Sequence, residues 1–289
     1  MQLGMHSFLE LTGRVKVHSN GAISGEQVAK LPFGGILSLL PAIPAPAIIS
    51  RVTPPSGQDG VPQNAEVLNE LTHVRLNRFI SQDEAGLCTG PLGLRRGMRV
   101  AIALPNGVEM WVALLQTMCY ATAVPVNVDN TSQELAEDMR GCTLLITLQG
   151  DARSRNAVSA AKNAGISLVT LQKDPRRPGL FTAAGWQQQT SAGARGEAKG
   201  ACTRDDTVLV LQTSGSSGAK KRVASTSEAL VVGALCIARS RQLAPEEAAV
   251  CMLPLHHVAG VSRSLAPALL GCTLIFSGPF DASFFWRAI

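Results

Sequence analysis

The chain has 289 residues, of which 46% are hydrophobic and 16% charged, with a formal net charge of +5. That length suits one large domain or two smaller ones and is enough to bury a sizeable core. The apolar content excludes wholesale disorder, and a mild basic excess with no block of five or more basic residues argues against a nucleic-acid partner.

The seven cysteines are widely spaced, odd in number and without a CxxC pair. Several lie inside apolar runs, as buried thiols do, so neither a disulfide framework nor a zinc site is expected, and a reducing compartment follows. Leu31 to Ser50 is the most apolar stretch. It carries Pro32, Pro41, Pro44 and Pro46, which break the continuous helix a membrane span needs, so no transmembrane segment is expected. The first 30 residues hold Glu10 and Glu26 as their only acids, against Arg14, Lys16 and Lys30. Residues 1–32 therefore read as a leader, unstructured or targeting. A cytoplasmic or organellar location (peroxisome, mitochondrion or plastid) is the matching expectation.

After the leader, Ile36 to Leu40 is a short apolar segment and Ala47 to Ser50 a short strand. Thr53 to Gln63, with three prolines and two glycines, is a loop. Leu71, Val74, Leu76, Phe79 and Ile80 recur at roughly helical spacing, which predicts a helix within Leu68 to Ala85. Arg99 to Leu104 reads as a buried strand, Pro105-Asn106-Gly107 as a turn, and Glu109 to Thr122 as a helix apolar nearly all round. Ala123 to Val128 is the next strand, which completes a strand–helix–strand crossover. Helices at Gln133–Arg140 and Arg153–Ala164 alternate with strands at Thr143–Leu148 and Ser167–Leu171. That alternation gives an α/β fold. From Gln172 to Lys199 the composition turns to Gly, Pro, Gln, Arg and Ser, and a surface loop or junction is expected. The boundaries so read are a first α/β subdomain at 33–171, a junction at 172–200 and a second subdomain beginning at 201–289.

The stretch that carries chemistry begins at Thr207 to Leu211, a β-branched strand. It runs into Gln212-Thr213-Ser214-Gly215-Ser216-Ser217-Gly218-Ala219-Lys220-Lys221-Arg222. Glycines let the backbone aim N–H groups at an anion, hydroxyls add donors and a lysine adds a point charge, so the loop can cradle a polyphosphate. The same composition also suits an ordinary Ser/Gly turn between two strands. It is not the GxxxxGK[ST] loop, and no GxGxxG occurs anywhere, which excludes the usual nicotinamide fingerprint. Arg222 to Ala224 continues as a strand, and Thr226 is placed to cap a helix through Arg239. Ala249 to Leu253 is a further strand. It leads through Pro254-Leu255-His256-His257-Val258-Ala259-Gly260 into a helix at Val261–Leu270, which Gly271 ends, and Cys272 to Phe276 is a strand. Adjacent strand residues face opposite ways, so the two histidines do not form a metal pair. They line a pocket or lie on an exposed loop.

The ordered pair TSGSSGAKK and, about 30 residues later, PLHHVAG resembles the adenylate-forming (AMP-binding) superfamily, in its acyl-CoA synthetase branch. That family's patterns are TSG[ST][ST]GxPK and PxxHxxG. Upstream, LGLRRGMRVAIALPNGVEMWVALLQTMCYATAVPVN and LSLLPAIPAPAII are similar to its earlier segments. The resemblance covers about residues 33–289. It implies layered α/β sheets with crossover helices, the N-terminal portion of the large domain. It also implies ATP, Mg2+ and coenzyme A as cofactors, with a small or medium carboxylic acid as substrate. A carboxylate would be adenylated and then passed to a thiol. By the same resemblance Thr213, Ser214, Gly215, Ser216, Ser217, Gly218 and Lys221 would hold the phosphates, and His257 would border the acyl pocket. No metal ligand and no catalytic residue is assigned, because the family's carboxylate-orienting lysine belongs to a C-terminal domain absent from these residues. The chain therefore reads as an N-terminal fragment, inactive alone. The alternative is a stand-alone, catalytically inactive ATP-binding or interaction protein. Three departures stand out. Lys220 replaces the loop proline, which should soften the loop; Arg222 replaces a common glycine; Met98 replaces an aspartate. The Lys220–Arg222 run is read as aiding anion binding or as solvated charge.

Overall fold

The computed structural model describes residues 15–17, 23–25, 33–52, 67–188, 199–213 and 220–276, together with 282 and 286. Thirteen strands and seven α-helices are defined among them. In chain order the first are β1 (Val15–Val17), β2 (Ile23–Gly25), α1 (Ile36–Leu39), β3 (Pro46–Val52), β4 (Val67–Thr72), α2 (His73–Ser81), β5 (Arg99–Ala103), α3 (Val108–Tyr120) and β6 (Thr122–Pro125). There follow α4 (Ser132–Asp138), β7 (Leu144–Leu148), α5 (Arg155–Asn163), β8 (Ser167–Lys173), β9 (Phe181–Gln187) and β10 (Thr207–Thr213). The last are β11 (Lys221–Thr226), α6 (Ser227–Ser240), β12 (Ala248–Cys251), α7 (Val258–Leu270) and β13 (Thr273–Phe276).

Seven strands form one sheet in the order β11-β10-β6-β5-β7-β8-β9. Its five inner strands are parallel and its two edge strands antiparallel. A second sheet has the order β12-β13-β3-β4, and β1 pairs with β2. The inner strands are buried on both faces, and their residues sort by face. Val100 and Ile102 enter the larger core, while Ala101 and Ala103 enter the smaller one. The small alanines leave room for α4 and α5, whose Leu135, Ala157, Ala160 and Ala161 fill that side. On the other side lies α3. Every α3 residue except Glu109 is buried, which is why its sequence shows no polar stripe. From β5 the chain crosses to β6 on one side, then from β6 back past β5 to β7. Right-handed crossovers put the connecting helices on opposite faces when direction reverses, and so open a crevice at the carboxyl ends of these strands.

The α/β architecture stands as read, with four differences. Val67 to Thr72 is a strand, not the start of a helix, because it pairs antiparallel with β3 from Val52↔Val67 to Pro46↔Thr72. The helix begins only at His73, where the Thr72 side chain accepts from the Arg75 N–H and caps it. The segment expected to be loop or junction contains β9, an antiparallel edge strand on β8. Of its residues Phe181 alone is buried, so its apolar signal is faint. Each sheet draws strands from both sides of residues 172–200, with β10 and β11 joining β5–β9 and with β3 and β4 joining β12 and β13. Within the expected leader, β1 and β2 pair and β1 lies against α6. The loop expected at 53–63 lies outside the described residues.

Met98, the departure from an aspartate, is 2% exposed and part of the core. Gly271 closes α7 with φ 96°, a left-handed cap that glycine adopts without strain. All seven cysteines are free, and five are buried. Burial pushes the Cys251 thiol up to about 11 and the Cys202 thiol to about 12, so both are protonated and unreactive at neutral pH. Among the described residues no helix is long and apolar enough to cross a membrane.

The packing of α3 makes a direct prediction. Leu114 is fully buried at its centre. Leu114→Ala should lose about 2–5 kcal/mol, read as a lower urea midpoint with an unchanged slope. A loss under about 0.5 kcal/mol would mean that the site is not packed as described.

Candidate functional site

The carboxyl ends of β6 and β10 and the loop after β12 meet at a cleft of about 220 Å³. From β6 and the loop that follows come Pro125, Asn127 and Asn130, and from the two ends of α4 come Glu134 and Asp138. From β10 come Gln212 and Thr213, and Lys220 leads into β11. His256 and His257 complete the wall. This is the crevice position that open α/β sheets use for ligands.

Two local devices hold the histidine loop. Asn106, in the turn after β5, accepts from the Leu255 N–H through Oδ1 at 2.9 Å. Its Nδ2 donates to the Leu253 carbonyl at 3.4 Å. The Pro-Asn turn of the first half is thus the clamp for the histidine motif of the second. Gly260 supplies the other device. A Cβ there would lie 2.1 Å from the Pro254 carbonyl oxygen, so only glycine lets the loop fold back on the first turn of α7. His257 is the N-cap residue of α7 and exposed. His256 is half-buried, its ring 4.3 Å from that of His257. Burial, then the neighbouring His257, push His256 down to about 4, so it is a neutral imidazole at pH 7.

The other wall is electrostatic. Asp138 is 4% exposed. Its Oδ1 takes Lys220 Nζ at 2.7 Å and its Oδ2 takes Asn130 Nδ2 at 3.0 Å. Its main-chain carbonyl accepts from Gln212 Nε2 at 2.8 Å, and Arg222 donates to the carbonyl of Glu137. Glu134 is committed to a capping box with Thr131, which sets the start of α4. Both acids of the cleft are therefore already partnered. Among the described residues no group of three His, Cys, Asp or Glu side chains could hold a metal ion.

Of the residues singled out from the sequence, Thr213 and His257 come together in this cleft. Ser214, Gly215, Ser216, Ser217 and Gly218 lie outside the described residues. Lys221 does not line the cleft; it is exposed at the start of β11, paired in register with Thr213. Lys220, read as solvated charge or an anion ligand, is instead an ion-pair partner. Sequence reasoning missed Asp138, Asn130, Asn106 and Gln212. Nothing in a lone Asp at the end of a seven-residue helix marks it, since its partners come from positions 8 to 82 residues away.

Residues 67–289 match the AMP-binding enzyme family. The chain is 28% identical over 225 residues to the long-chain-fatty-acid–CoA ligase FadD13 of Mycobacterium tuberculosis, covering 76% of this chain and 42% of that one. It is 28% identical over 228 residues to oxalate–CoA ligase of Arabidopsis thaliana, covering 75% and 42%. The chain thus spans less than half the length of these curated relatives. Among solved structures, the inhibitor-bound N-terminal domain of FACL13 from Mycobacterium tuberculosis superposes with a TM-score of 0.65 at 23% identity, over 88% of this chain and 60% of that one. Apo MatB from Rhodopseudomonas palustris gives 0.62 at 20% identity, over 84% and 44%.

The state of His256 fixes a pH response. Its folded value lies near 4, below the ordinary 6.5. As pH falls through that interval the unfolded chain takes up the proton and the folded chain does not, so stability should fall from pH 6.5 toward pH 4. His73, pushed down by burial, acts in the same direction. His256→Gln should flatten part of this dependence in urea titrations at stepped pH. An unchanged slope would place His256 in water.

Proposed function

We propose that this chain, which belongs to the AMP-binding enzyme family, is the phosphate-gripping portion of an ATP-dependent acyl-activating ligase that joins a carboxylic acid to a thiol, with coenzyme A as the acceptor. One observation carries the proposal. Thr213, where the phosphate-loop motif begins, and His257, from the second motif, lie 44 positions apart and line one cleft at the carboxyl ends of parallel strands. The named activities of the relatives support the same class of reaction.

In that reaction a carboxylate oxygen attacks the α-phosphorus of ATP and the bond to the bridging oxygen breaks. Pyrophosphate leaves and an acyl-adenylate forms. A thiolate then attacks the acyl carbon and AMP leaves. The contribution of these residues is to bind and orient. The Thr213 hydroxyl and the main-chain donors of 214–218 would hold the phosphates. His257 would border the acid, and the neutral ring of His256 would offer a hydrogen bond without adding charge. Mg2+, when bound, would neutralise phosphate charge. With both cleft acids partnered, it would arrive on the nucleotide rather than sit in a protein cage.

The resemblance places the carboxylate-orienting lysine in sequence that these 289 residues do not contain. The 289-residue polypeptide should therefore bind ATP without catalysing acid-dependent ATP–pyrophosphate exchange. Equilibrium dialysis with ATP and Mg2+, and exchange assays over short- to long-chain carboxylates, test the two halves separately. Thr213→Ala should weaken ATP binding by about tenfold, the worth of one hydrogen bond to a charged group. No ATP binding by the unaltered chain would overturn the reading; exchange by it would overturn the inactivity.

A further inference from the structure

We propose that Asp138 and Lys220 form a positioning pair that sets the geometry of the phosphate site, with the last turn of α4 as its platform. The proposal deepens the reading of this cleft as an ATP site and rests on it. Its basis is convergence. Gln212 immediately precedes the phosphate-loop motif and Lys220 is its penultimate residue, and both are tied to the same residue. Gln212 Nε2 donates to the Asp138 carbonyl at 2.8 Å, and Lys220 Nζ reaches the Asp138 carboxylate at 2.7 Å. Two residues beyond Lys220, in β11, Arg222 donates to the carbonyl of Glu137. Thus three side chains, from the end of β10, from the residue before β11 and from β11, grip two consecutive residues of one short helix.

Alternation along a strand accounts for the pattern. Lys220 and Arg222 lie two positions apart and project to one side, toward α4, while Lys221 projects to the other and is exposed. Of three consecutive basic residues, two are thereby spent on the protein itself, and Lys221 makes no ion pair among the described residues. The Asp138 carboxylate is fully committed. Its side chain is 5% exposed, with a cation on one oxygen and the Asn130 amide on the other. A buried carboxylate stripped of its cation is strongly disfavoured, so the pair holds its geometry far better than a surface ion pair. Lys220 is also the residue that stands where the resembling family has proline. A proline restrains the backbone covalently by fixing φ. Here the restraint comes from a tertiary contact, and the partner that makes it possible is an aspartate at a position packed beside the smaller core. The pair thus restrains residue 220 at the position where the resembling family has its proline. Lys220 acts through position and is not itself the counter-ion of a phosphate.

The test is a double-mutant cycle on the 289-residue chain, with ATP affinity measured by equilibrium dialysis over a range of salt concentrations. Lys220→Met and Asp138→Asn should each weaken binding by a similar factor, about tenfold, because a shifted donor set loses its alignment. The double variant should be no worse than either single one, and the dependence of affinity on salt should be unchanged, since no phosphate-bound charge has been removed. Lys220→Arg, which can keep the ion pair, should restore most of the affinity. If Lys220 is instead a direct phosphate ligand, Asp138→Asn will tighten binding by freeing it, and Lys220→Met will flatten the salt dependence; that result overturns the proposal. A lowered melting temperature with unchanged affinity overturns it too, because the pair would then be structural only. Should Asp138→Asn fail to fold, the half-exposed Lys220 still gives the answer through its Met and Arg variants. Failure of the unaltered chain to bind ATP overturns the reading of the cleft and this proposal with it, whereas binding without coupling overturns the proposal alone.

Discussion

The structure depends on a helix with no outside. In α3 the residues Met110, Trp111, Leu114, Leu115 and Met118 are each at most 1% exposed. Such a segment is stable only where other elements enclose it. It packs against β5, β6 and β10 and beside α1, within a core that also takes Ile48, Leu71, Leu274 and Phe276 from the second sheet. The burial of α3 therefore brings the two sheets into one core. Two of its polar side chains reach across to neighbouring segments: Tyr120 donates to the Ile80 carbonyl at 3.0 Å, and Gln116 Nε2 donates to Asp83 at 2.9 Å.

From that constraint the site follows. With α3 on one face of the seven-stranded sheet and α4 and α5 on the other, the chain reverses direction between β6 and β7. The reversal leaves the carboxyl ends of β6 and β10 open beside the loop after β12. Asn106 joins the two levels, because it extends from a core strand and clamps the loop that carries His256 and His257. Asp138 does the same from the opposite side, since α4 is anchored through Leu135 in the smaller core while its last residue is bound by Gln212 and Lys220. The cleft is thus built from connections, but each connection is braced by an element whose place the core fixes.

Legibility from the sequence varied with the physical origin of each feature. The strands RVAIA and TVLVL and the helix 108–120 were visible because burial on all sides demands unbroken apolar runs. Thr226 was readable as a cap because capping is local, and it accepts from the Ala229 N–H. By contrast, β4 was read as helix, because the apolar residues from Leu71 to Ile80 set one period while the pairing of Val67–Thr72 lay in a distant strand. The edge strand β9 was missed for a related reason, having little side-chain burial to leave a pattern.

The sequence by itself determined the α/β class, the parallel crossovers and the two ordered motifs, because hydrophobic period, turn chemistry and loop composition are properties of neighbouring residues. Only the tertiary structure decided which basic residue faces which way, and that Lys220 is held by Asp138 while Lys221 stays exposed. It alone decided that Asn106 clamps a loop 147 to 149 positions away and that Gly260 must lack a side chain. These are contacts between segments far apart in the chain, and their energy depends on burial and alignment that no local pattern records.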